Sequence, residues 1–473
     1  MPIAQPNWQL SATDLHQHYR RGTLSPVDVA SQILARIEAL NPMLNAYVHV
    51  DTAGAMAAAQ ASAERYRAGR PLGPLDGVPA SIKDSLLVGG MPATWGSRLL
   101  ERNIPAQDEL PVERLRAAGA VLLGKTNVPE FTVQGYTDNL LFGATGNAWN
   151  PALTPGGSSG GAVSAVAAGL GPVALGTDGG GSTRRPAGHT GLVGLKPSTG
   201  RIARTGGFPE IYNDLEVIGL FGRCIEDVST ILCTLSAPDA RDRHSLAFHA
   251  AVTPEETRHL PKAPRILYVP RFGRHPVDPE IIAATDTAAE VLRKVGCGIE
   301  AGALPFDIDA AIAALAVLMP TGLAMIVDRL GGPGKITPAL LPMYEAGRAV
   351  SGSAYLAALN HAVELRRQLA SFYTRFDAIL TPSTAAQPWA KDKVYPEKID
   401  GQDAGPRGHA VYTGWVNLAG LPGLNLPATP DAKGMPIGVQ LVGGYGNDAL
   451  LLAIGRRYEA VAPWADRWPA IAL

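Results

Sequence analysis

Short apolar runs that alternate with helical segments constrain the fold of this 473-residue chain more than any other feature. Residues 78–82, 120–123 and 173–175 are apolar and bounded by glycine, proline or polar residues, which is typical of buried β-strands. Between them, residues 112–118 and 161–168 have a helical pattern. This alternation predicts an α/β layered core with helices on both faces of a sheet.

The rest of the chain adds one clear helix and a more helical second half. Ser25 precedes Pro26, an arrangement typical of an N-cap followed by the first residue of a helix. Asn41 and Pro42 predict where that helix ends. Residues 235–400 are more helical, and no low-complexity linker divides the sequence. We therefore predict a single domain.

Composition and charge argue against several classes of partner. The formal net charge is −1, 18% of the residues are charged and 46% are hydrophobic. These values indicate a globular protein with a large core and no basic surface for nucleic acid or acidic membranes. Three cysteines occur without metal-binding or redox spacing, as expected of buried thiols in a reducing compartment: Cys224, Cys233 and Cys297.

Two segments bear on the location of the protein. The N-terminal sequence MPIAQPNWQLSATD lacks the basic and apolar regions of a signal peptide. Residues 310–327 are uncharged and just long enough to span a membrane, but Pro320, Thr321 and Gly322 interrupt the run. We expect a buried helix there, no membrane partner, and a cytoplasmic protein.

One segment matches a nucleotide-binding pattern without the required context. Residues 119–126, GAVLLGKT, satisfy the Walker A expression. A phosphate-binding loop needs pliable residues after a strand, so that backbone N–H groups can surround the phosphate. Here the middle residues AVLL are themselves typical of a strand. We therefore predict a strand that ends in a turn.

A second segment, GGSSG at residues 156–160, matches the G-x-S-x-G nucleophile elbow of α/β-hydrolases. In that elbow Ser158 would follow a buried strand and work with a downstream acid and histidine. Residues 150–155 contain two prolines and lack the pattern of a central strand. His361 and His409 lie downstream, each without a recognisable catalytic setting. An esterase of the α/β-hydrolase type, with Ser158 as nucleophile, is one alternative.

A third segment, TDGGGSTR at residues 177–184, places a serine after three glycines at the end of an apolar run. The glycines let a substrate approach Ser182 closely and leave backbone N–H groups free to form an oxyanion hole. Lys83 also follows an apolar run, in SIKD at residues 81–84. A lysine at a strand end is usually solvated, but a buried lysine loses its charge and can act as a base.

Together these motifs resemble the amidase signature family. The resemblance rests on Lys83 in GVPASIKD, on PGGSSGG at residues 155–161, and on TDGGGSTRRPAGHTGLVGLKPSTGRI at residues 177–202. The segments GKTNVPEF, ATGNAWNP, DAILTPS and MPIGVQLVGG are also similar to the family. The resemblance implies an α/β fold with a large mixed, twisted β-sheet core that helices cover on both faces.

The resemblance also implies roles for individual residues. By motif position, Ser182 is the nucleophile, Ser158 is the bridging serine of a cis peptide bond, and Lys83 is the base. The expected oxyanion hole consists of the backbone N–H groups of Gly179, Gly180, Gly181 and Ser182. The expected supporting residues are Ser159, which helps to hold the lysine, Asp178 and Arg184 as a structural ion pair, and Thr132, Gln134 and Tyr136 in the acyl pocket.

Organisation and function follow from the same resemblance. One domain covers residues 1–473, with a signature core over about 70–225 and a variable, substrate-shaping part over about 235–400. The expected function is an amidohydrolase that cleaves small or aryl amides through a seryl acyl-enzyme, and also esters and carbamates. It needs no metal or organic cofactor, its partner is a small amide, and a homodimer is compatible with it. The alternative within the family is the glutaminase subunit of a tRNA-dependent amidotransferase.

Overall fold

The α-helices of this computed structural model surround a central sheet, and the structure describes residues 6–260 and 263–472. Thirteen α-helices occur in these ranges: α1 (Ala12–Arg21), α2 (Pro26–Leu44), α3 (Thr52–Arg67), α4 (Leu110–Ala117), α5 (Gly160–Ala167), α6 (Arg184–Thr190), α7 (Ile225–Leu235), α8 (Pro279–Lys294), α9 (Ile308–Arg329), α10 (Leu341–Arg348), α11 (Gly352–Phe372), α12 (Gly414–Leu418) and α13 (Asp448–Val461).

The strands of the same ranges form one large sheet and one short hairpin. They are β1 (Tyr47–Val50), β2 (Pro79–Lys83), β3 (Val121–Thr126), β4 (Val173–Asp178), β5 (Val193–Lys196), β6 (Val217–Gly222), β7 (Arg265–Tyr268), β8 (Gly298–Ala301), β9 (Ala378–Pro382), β10 (Lys398–Ile399), β11 (Gln402–Asp403), β12 (Gly423–Pro427) and β13 (Gly438–Gly443). The hairpin pairs β10 with β11.

The large sheet has eleven strands among the described residues and is mixed. Its order is β1-β3-β2-β4-β6-β5-β12-β13-β9-β7-β8. Strand β2 is parallel to β3 and β4, and β7 is parallel to β8 and β9, whereas the other neighbours are antiparallel. The prediction of an α/β fold with a large mixed sheet is therefore confirmed.

The sheet separates two hydrophobic cores, because successive side chains of a strand point to opposite faces. In β3, Leu122 belongs to one core, whereas Val121 and Leu123 belong to the other. The first core includes side chains of α7, and the second includes side chains of α5. Helices therefore pack on both faces, as predicted. Strands from both ends of the chain share the sheet, and the single domain over residues 1–473 stays a prediction.

The strands that carry the sequence motifs extend beyond their apolar runs. Strand β2 ends at Lys83, β3 at Thr126 and β4 at Asp178. Because β2 is parallel to both neighbours, the carboxyl ends of all three strands meet at one edge of the sheet. In open α/β sheets, ligands bind at this edge.

Strand β3 contains the segment that matches the Walker A expression. Gly124, Lys125 and Thr126 are part of the strand and do not form a phosphate-binding loop. The Lys125 ammonium is buried, donates to the Leu86 carbonyl at 2.7 Å, and pairs with Asp84 at 3.3 Å. The predicted strand is observed, but the turn predicted at its end is not, because the strand continues to Thr126.

Helix α2 begins as predicted and ends later than predicted. Ser25 accepts a hydrogen bond from the Val27 N–H, with Pro26 in the first helical position. Pro42 lies inside the helix, which continues to Leu44. The helix ends where Asn45 takes a left-handed conformation, which asparagine tolerates better than most residues. A proline in the last turn therefore did not stop the helix.

Helix α9 is long and apolar enough to cross a membrane by length and composition. In the fold 56% of its most apolar window is buried, and the helix packs against α10 and α11. A core helix of this kind meets the same test of length and composition, and the predicted buried helix is observed.

The three cysteines are free thiols. Cys297 is buried as predicted, whereas Cys224 and Cys233 are partly exposed.

Candidate active site

Lys83 lies at the carboxyl end of β2 and is fully buried. Its Nζ donates to Ser158 Oγ at 2.8 Å, to Thr177 Oγ1 at 2.8 Å and to the Thr177 carbonyl at 3.3 Å. Burial lowers the pKa of Lys83 to about 7, although the charges of Glu216 and Asp178 oppose this shift. Near neutral pH a substantial fraction of this amine is therefore uncharged and able to accept a proton.

Ser158 follows a cis peptide bond that joins it to Gly157, as the resemblance implied. A side-chain carbon added at Gly157 would lie 2.5 Å from the Tyr136 carbonyl oxygen, so glycine is required for this close approach. Ser158 is buried and lies two residues before the start of α5. The loop thus brings the Ser158 hydroxyl to the Lys83 ammonium.

The nucleophile-elbow alternative lacks the structure that it needs. No strand precedes Ser158 within residues 150–157. The ring nitrogens of His409 have no hydrogen-bond partner in the described ranges, and Lys83 is the residue that hydrogen-bonds Ser158. Ser158 therefore contacts a lysine where the elbow would require a histidine.

Ser182 lies in the loop between β4 and α6 and is 6% exposed. Within the described residues, Ser182 Oγ forms no hydrogen bond, and the expected hydrogen bond between Ser182 and Ser158 is therefore not present in this structure. The preceding Gly181 has φ 115°, and a side-chain carbon there would lie 2.1 Å from Thr413 Oγ1. Glycine at this position lets the loop turn tightly before Ser182.

The ion pair between Asp178 and Arg184 holds this loop. Arg184 Nη2 donates to Asp178 Oδ1 at 2.9 Å, and Arg184 Nε donates to Asp178 Oδ2 at 3.1 Å. Asp178 also accepts from the N–H groups of Gly181 at 2.6 Å and Thr183 at 3.0 Å. Burial alone would raise the pKa of Asp178, but Arg184 more than reverses this and holds it well below its usual range. The predicted structural ion pair is observed.

Of the four backbone N–H groups predicted to form an oxyanion hole, one is already bonded within the protein. The Gly181 N–H is bonded to the Asp178 carboxylate, so it is not free for a substrate oxygen. The N–H groups of Gly179, Gly180 and Ser182 have no acceptor among the residues that the structure describes. Three free donors therefore remain where we predicted four.

Thr177 contacts Lys83 in the position that we predicted for Ser159. Ser159 Oγ donates to the Thr177 carbonyl at 3.4 Å and forms no hydrogen bond with Lys83 in the described structure. Thr177 accepts directly from Lys83 through both its hydroxyl and its carbonyl, and sequence reasoning missed it. The available signal was a polar side chain at the end of the apolar run that leads to Ser182.

The predicted acyl-pocket residues lie beside the serine loop. Thr132, Gln134 and Tyr136 are all buried, and the backbone of Tyr136 packs against Gly157. The Thr132 hydroxyl accepts from Trp95 Nε1 at 3.2 Å and is thereby occupied. Gln134 Oε1 has no hydrogen-bond partner in the described ranges. Contact of these side chains with a substrate stays a prediction.

The predicted catalytic residues do not line the cleft described next, so the site is recognised from its side chains and their hydrogen bonds. A cleft of about 560 Å³ is lined by Thr199 and Tyr373, and it does not include Lys83, Ser158 or Ser182. No group of three or more His, Cys, Asp or Glu side chains in residues 6–260 and 263–472 could hold a metal ion.

Comparison with known proteins shows the family to which this chain belongs. A family model described as Amidase matches residues 28–452. The chain belongs to the amidase signature family. It is 33% identical over 470 residues to an acylamidase of Rhodococcus erythropolis, with 98% of each chain covered.

Two further relatives differ in their named roles. The chain is 33% identical over 493 residues to a glutamyl-tRNA(Gln) amidotransferase subunit of Chloroflexus aggregans, covering 98% of each. A bacterial aryl acylamidase of the amidase signature family has a crystal structure that matches with a TM-score of 0.91 and 27% identity, over 99% of each chain. This amidase signature protein is thus an amide-hydrolysing enzyme.

Proposed function

We propose that this protein is a stand-alone amidase that cleaves small or aryl amides through an acyl-enzyme on Ser182. The observation that carries the proposal is the hydrogen bond between buried Lys83 and Ser158, at 2.8 Å. The loop that bears Ser182 also presents three free backbone donors. A base, a relay and an oxyanion site are the parts that acyl transfer requires.

The first half of the proposed reaction forms the acyl-enzyme. Neutral Lys83 accepts the Ser158 proton while Ser158 accepts the proton of Ser182. An electron pair of the Ser182 oxygen forms a bond to the amide carbonyl carbon, and the π pair of the C=O bond moves to the carbonyl oxygen. Catalytic hydrogen bonds are often completed only when substrate is bound, and this applies to the Ser158–Ser182 contact.

The oxyanion is stabilised by backbone donors, and the leaving group by a proton. The N–H groups of Gly179, Gly180 and Ser182 are free to bond the tetrahedral oxyanion. The relay then returns the proton from Lys83 through Ser158 to the amine nitrogen, which departs as the C–N bond breaks. Water hydrolyses the resulting ester. Esters and carbamates present the same carbonyl and are proposed as further substrates.

Variants of the triad test this proposal. We expect Lys83→Ala and Ser182→Ala to lower kcat for an anilide by about 10⁴-fold or more. Ser158→Ala should lose most activity and retain a residual rate, because the nucleophile remains. The matched control is Ser229→Ala, a buried serine on α7, which should keep wild-type turnover. Retained turnover in Ser182→Ala would exclude the proposed mechanism.

A second candidate function is the glutaminase subunit of a tRNA-dependent amidotransferase. The similarity to the Chloroflexus aggregans amidotransferase protein, at 33% identity over 493 residues, favours it. The purified chain alone should cleave anilides if it is a stand-alone amidase. Glutamine hydrolysis that appears only with co-purified partner subunits would favour the second candidate.

A homodimer is compatible with the proposed function. Light scattering of the same preparation distinguishes a monomer from a homodimer.

The proposed compartment is the cytoplasm. The three cysteines are free, which fits a reducing environment. A reporter fusion in the native cell, followed by fractionation, tests this location.

A further inference from the structure

Arg185 is a buried cation with unsatisfied donors beside the catalytic serines. It is the second residue of α6, three residues after Ser182, and 3% exposed. Its Nη2 donates to the Gly157 carbonyl at 3.4 Å, whereas Nε and Nη1 have no hydrogen-bond partner in the described chain. Burial lowers the pKa of Arg185 to about 9, and the nearby positive charge of Arg407 adds to this. A buried charge is costly unless a partner compensates it.

The contrast with its neighbour Arg184 shows what Arg185 lacks. Arg184 is equally buried, and Asp178 binds it through two hydrogen bonds. Neither Arg185 nor Arg407 forms an ion pair within residues 6–260 and 263–472. Asp178 is the negative residue that acts on Arg185, and its carboxylate is already bound to Arg184. The partner that would neutralise Arg185 is thus absent from the described protein.

Other unsatisfied polar atoms surround the same loop. His409 is 2% exposed, and neither ring nitrogen has a partner in the part of the chain described. Burial, with smaller effects of Arg185 and Arg407, holds the pKa of His409 well below its usual value, so the ring is neutral and offers one N–H donor.

Close contacts at two glycines show that Arg185 and His409 lie near the same segment of backbone. A side-chain carbon at Gly135 would lie 2.1 Å from His409 Nε2, and one at Gly157 would lie 2.5 Å from the Tyr136 carbonyl. Gly135 and Tyr136 are adjacent in the chain, and Arg185 donates to Gly157 itself. Arg185 and His409 therefore flank the same short stretch of backbone, next to Ser158.

We propose that Arg185, assisted by His409, binds a carboxylate of the substrate. This inference rests on the proposed function and names its substrate class: small amides that carry a carboxylate near the scissile bond. Charge-assisted hydrogen bonds join a guanidinium to a carboxylate, and the N–H groups of Arg185 Nε and Nη1, on different edges of the guanidinium, are donors that remain free to form one. A cationic substrate would be repelled from this site, and a neutral one would leave the charge uncompensated.

The test compares three amides of similar length that differ in charge: succinamate, the neutral 4-oxopentanamide and the cationic 4-aminobutanamide. We expect wild-type kcat/KM to favour succinamate over 4-oxopentanamide by about 10- to 100-fold. Arg185→Met should abolish this preference, mainly by raising KM for succinamate, and Arg185→Lys should retain part of it. The matched control, Arg102→Met, removes an arginine that is 94% exposed and should keep the wild-type preference.

Two outcomes would overturn the inference. One is a wild-type enzyme that cleaves 4-oxopentanamide as efficiently as succinamate. The other is an Arg185→Met enzyme in which both rates fall equally, because Arg185 would then only position the Gly157 carbonyl. A failure of the proposed function gives a different result: the Ser182→Ala enzyme would then cleave amides as the wild type does.

Binding is measured separately from turnover by thermal unfolding with succinate. Succinate should raise the Tm of the wild type and of Arg102→Met, because a ligand that binds the folded state stabilises it. It should leave the Tm of Arg185→Met unchanged. Equal shifts in the wild type and Arg185→Met would contradict a carboxylate site at Arg185, even if no amide in the set is cleaved.

Discussion

At Lys83, burial and nearby carboxylates act on the pKa in opposite directions. Burial lowers it to about 7, and Glu216 and Asp178 oppose that shift. Because an ammonium ion cannot accept a proton, the proposed relay works only in molecules whose Lys83 is neutral. The charge around one side chain thus sets the pH range of the whole reaction.

The pH dependence of kcat/KM follows from this pKa. Activity should rise as the pH rises through about 7, because Lys83 then loses its proton. Glu216→Gln should move this limb to lower pH, since removal of the negative charge disfavours the ammonium form. Anilide hydrolysis measured across the neutral range checks both expectations.

The test must distinguish Lys83 from a second buried lysine, Lys196, and it needs a control variant. Burial also lowers the pKa of Lys196 to about 7, with Arg184 adding to the shift and Asp178 and Asp448 opposing it. Glu216 is the first-named charge that acts on Lys83 and is not among those named for Lys196, so a shift in Glu216→Gln assigns the limb to Lys83. Glu300→Gln changes an exposed carboxylate and should leave the profile unchanged. An unshifted or upward-shifted limb in Glu216→Gln would contradict the role of Lys83.

The Asp178–Arg184 ion pair should be important for stability. Asp178→Asn leaves the buried Arg184 uncompensated, so we expect a loss of about 3–5 kcal/mol in the free energy of unfolding. Activity should fall as well, because Gly181 and Thr183 lose their charged acceptor. Urea unfolding and anilide turnover measure the two effects.

An exposed ion pair provides the comparison for Asp178. Glu290 pairs with Arg293 on the surface of α8, and such pairs contribute about 0–1 kcal/mol. Glu290→Gln should therefore unfold almost as the wild type does. If Asp178→Asn unfolded at the same urea concentration as Glu290→Gln, the loop would not depend on the buried pair.

At the scale of elements, helix α5 determines where Ser158 stands, because it begins two residues later. Its residue Gly161 donates to the Asn127 carbonyl at 3.1 Å. A side-chain carbon at Gly161 would lie 2.3 Å from the Asn127 nitrogen and 2.5 Å from the Ala46 carbonyl oxygen. These are backbone atoms, which move less easily than the end of a side chain.

Gly161→Ala should therefore destabilise the enzyme, although alanine favours helices more than glycine does. We expect a loss of about 1–3 kcal/mol from overpacking, and a lower kcat because the start of α5 is displaced. Gly352→Ala is the matched control at the first residue of α11, where no described atom lies within 4 Å of the added carbon. It should be neutral or stabilising by up to about 1 kcal/mol. Equal unfolding midpoints for both variants would refute the packing argument.

The elements show what local sequence can predict and what it cannot. The first residues of β2, β3 and β4 are apolar, and strands were predicted there from these apolar runs. Their polar ends at Lys83, Thr126 and Asp178 were not, because these residues are in strands only through their neighbours in the sheet. The end of α2 was also missed, since the left-handed Asn45 ends the helix and Pro42 does not.

At the scale of the whole molecule, the site is assembled from distant parts of the chain. The three residues of the proposed triad could be named from the sequence because their motifs are specific in sequence and order. Thr177 was not predicted, because its contact with Lys83 spans 94 residues and depends on β2 and β4 being neighbours. Arg185 stands inside a matched motif, but only its burial without an acidic partner distinguishes it from an ordinary surface arginine.

The central claim is that this assembly makes Ser182 the nucleophile. A fluorophosphonate reacts with an activated serine, and mass spectrometry of the digested protein identifies the labelled residue. We predict label on Ser182 in the folded enzyme, and none in the urea-unfolded chain or in Ser182→Ala. Label on Ser158 in the wild type, or undiminished label in Ser182→Ala, would contradict the account.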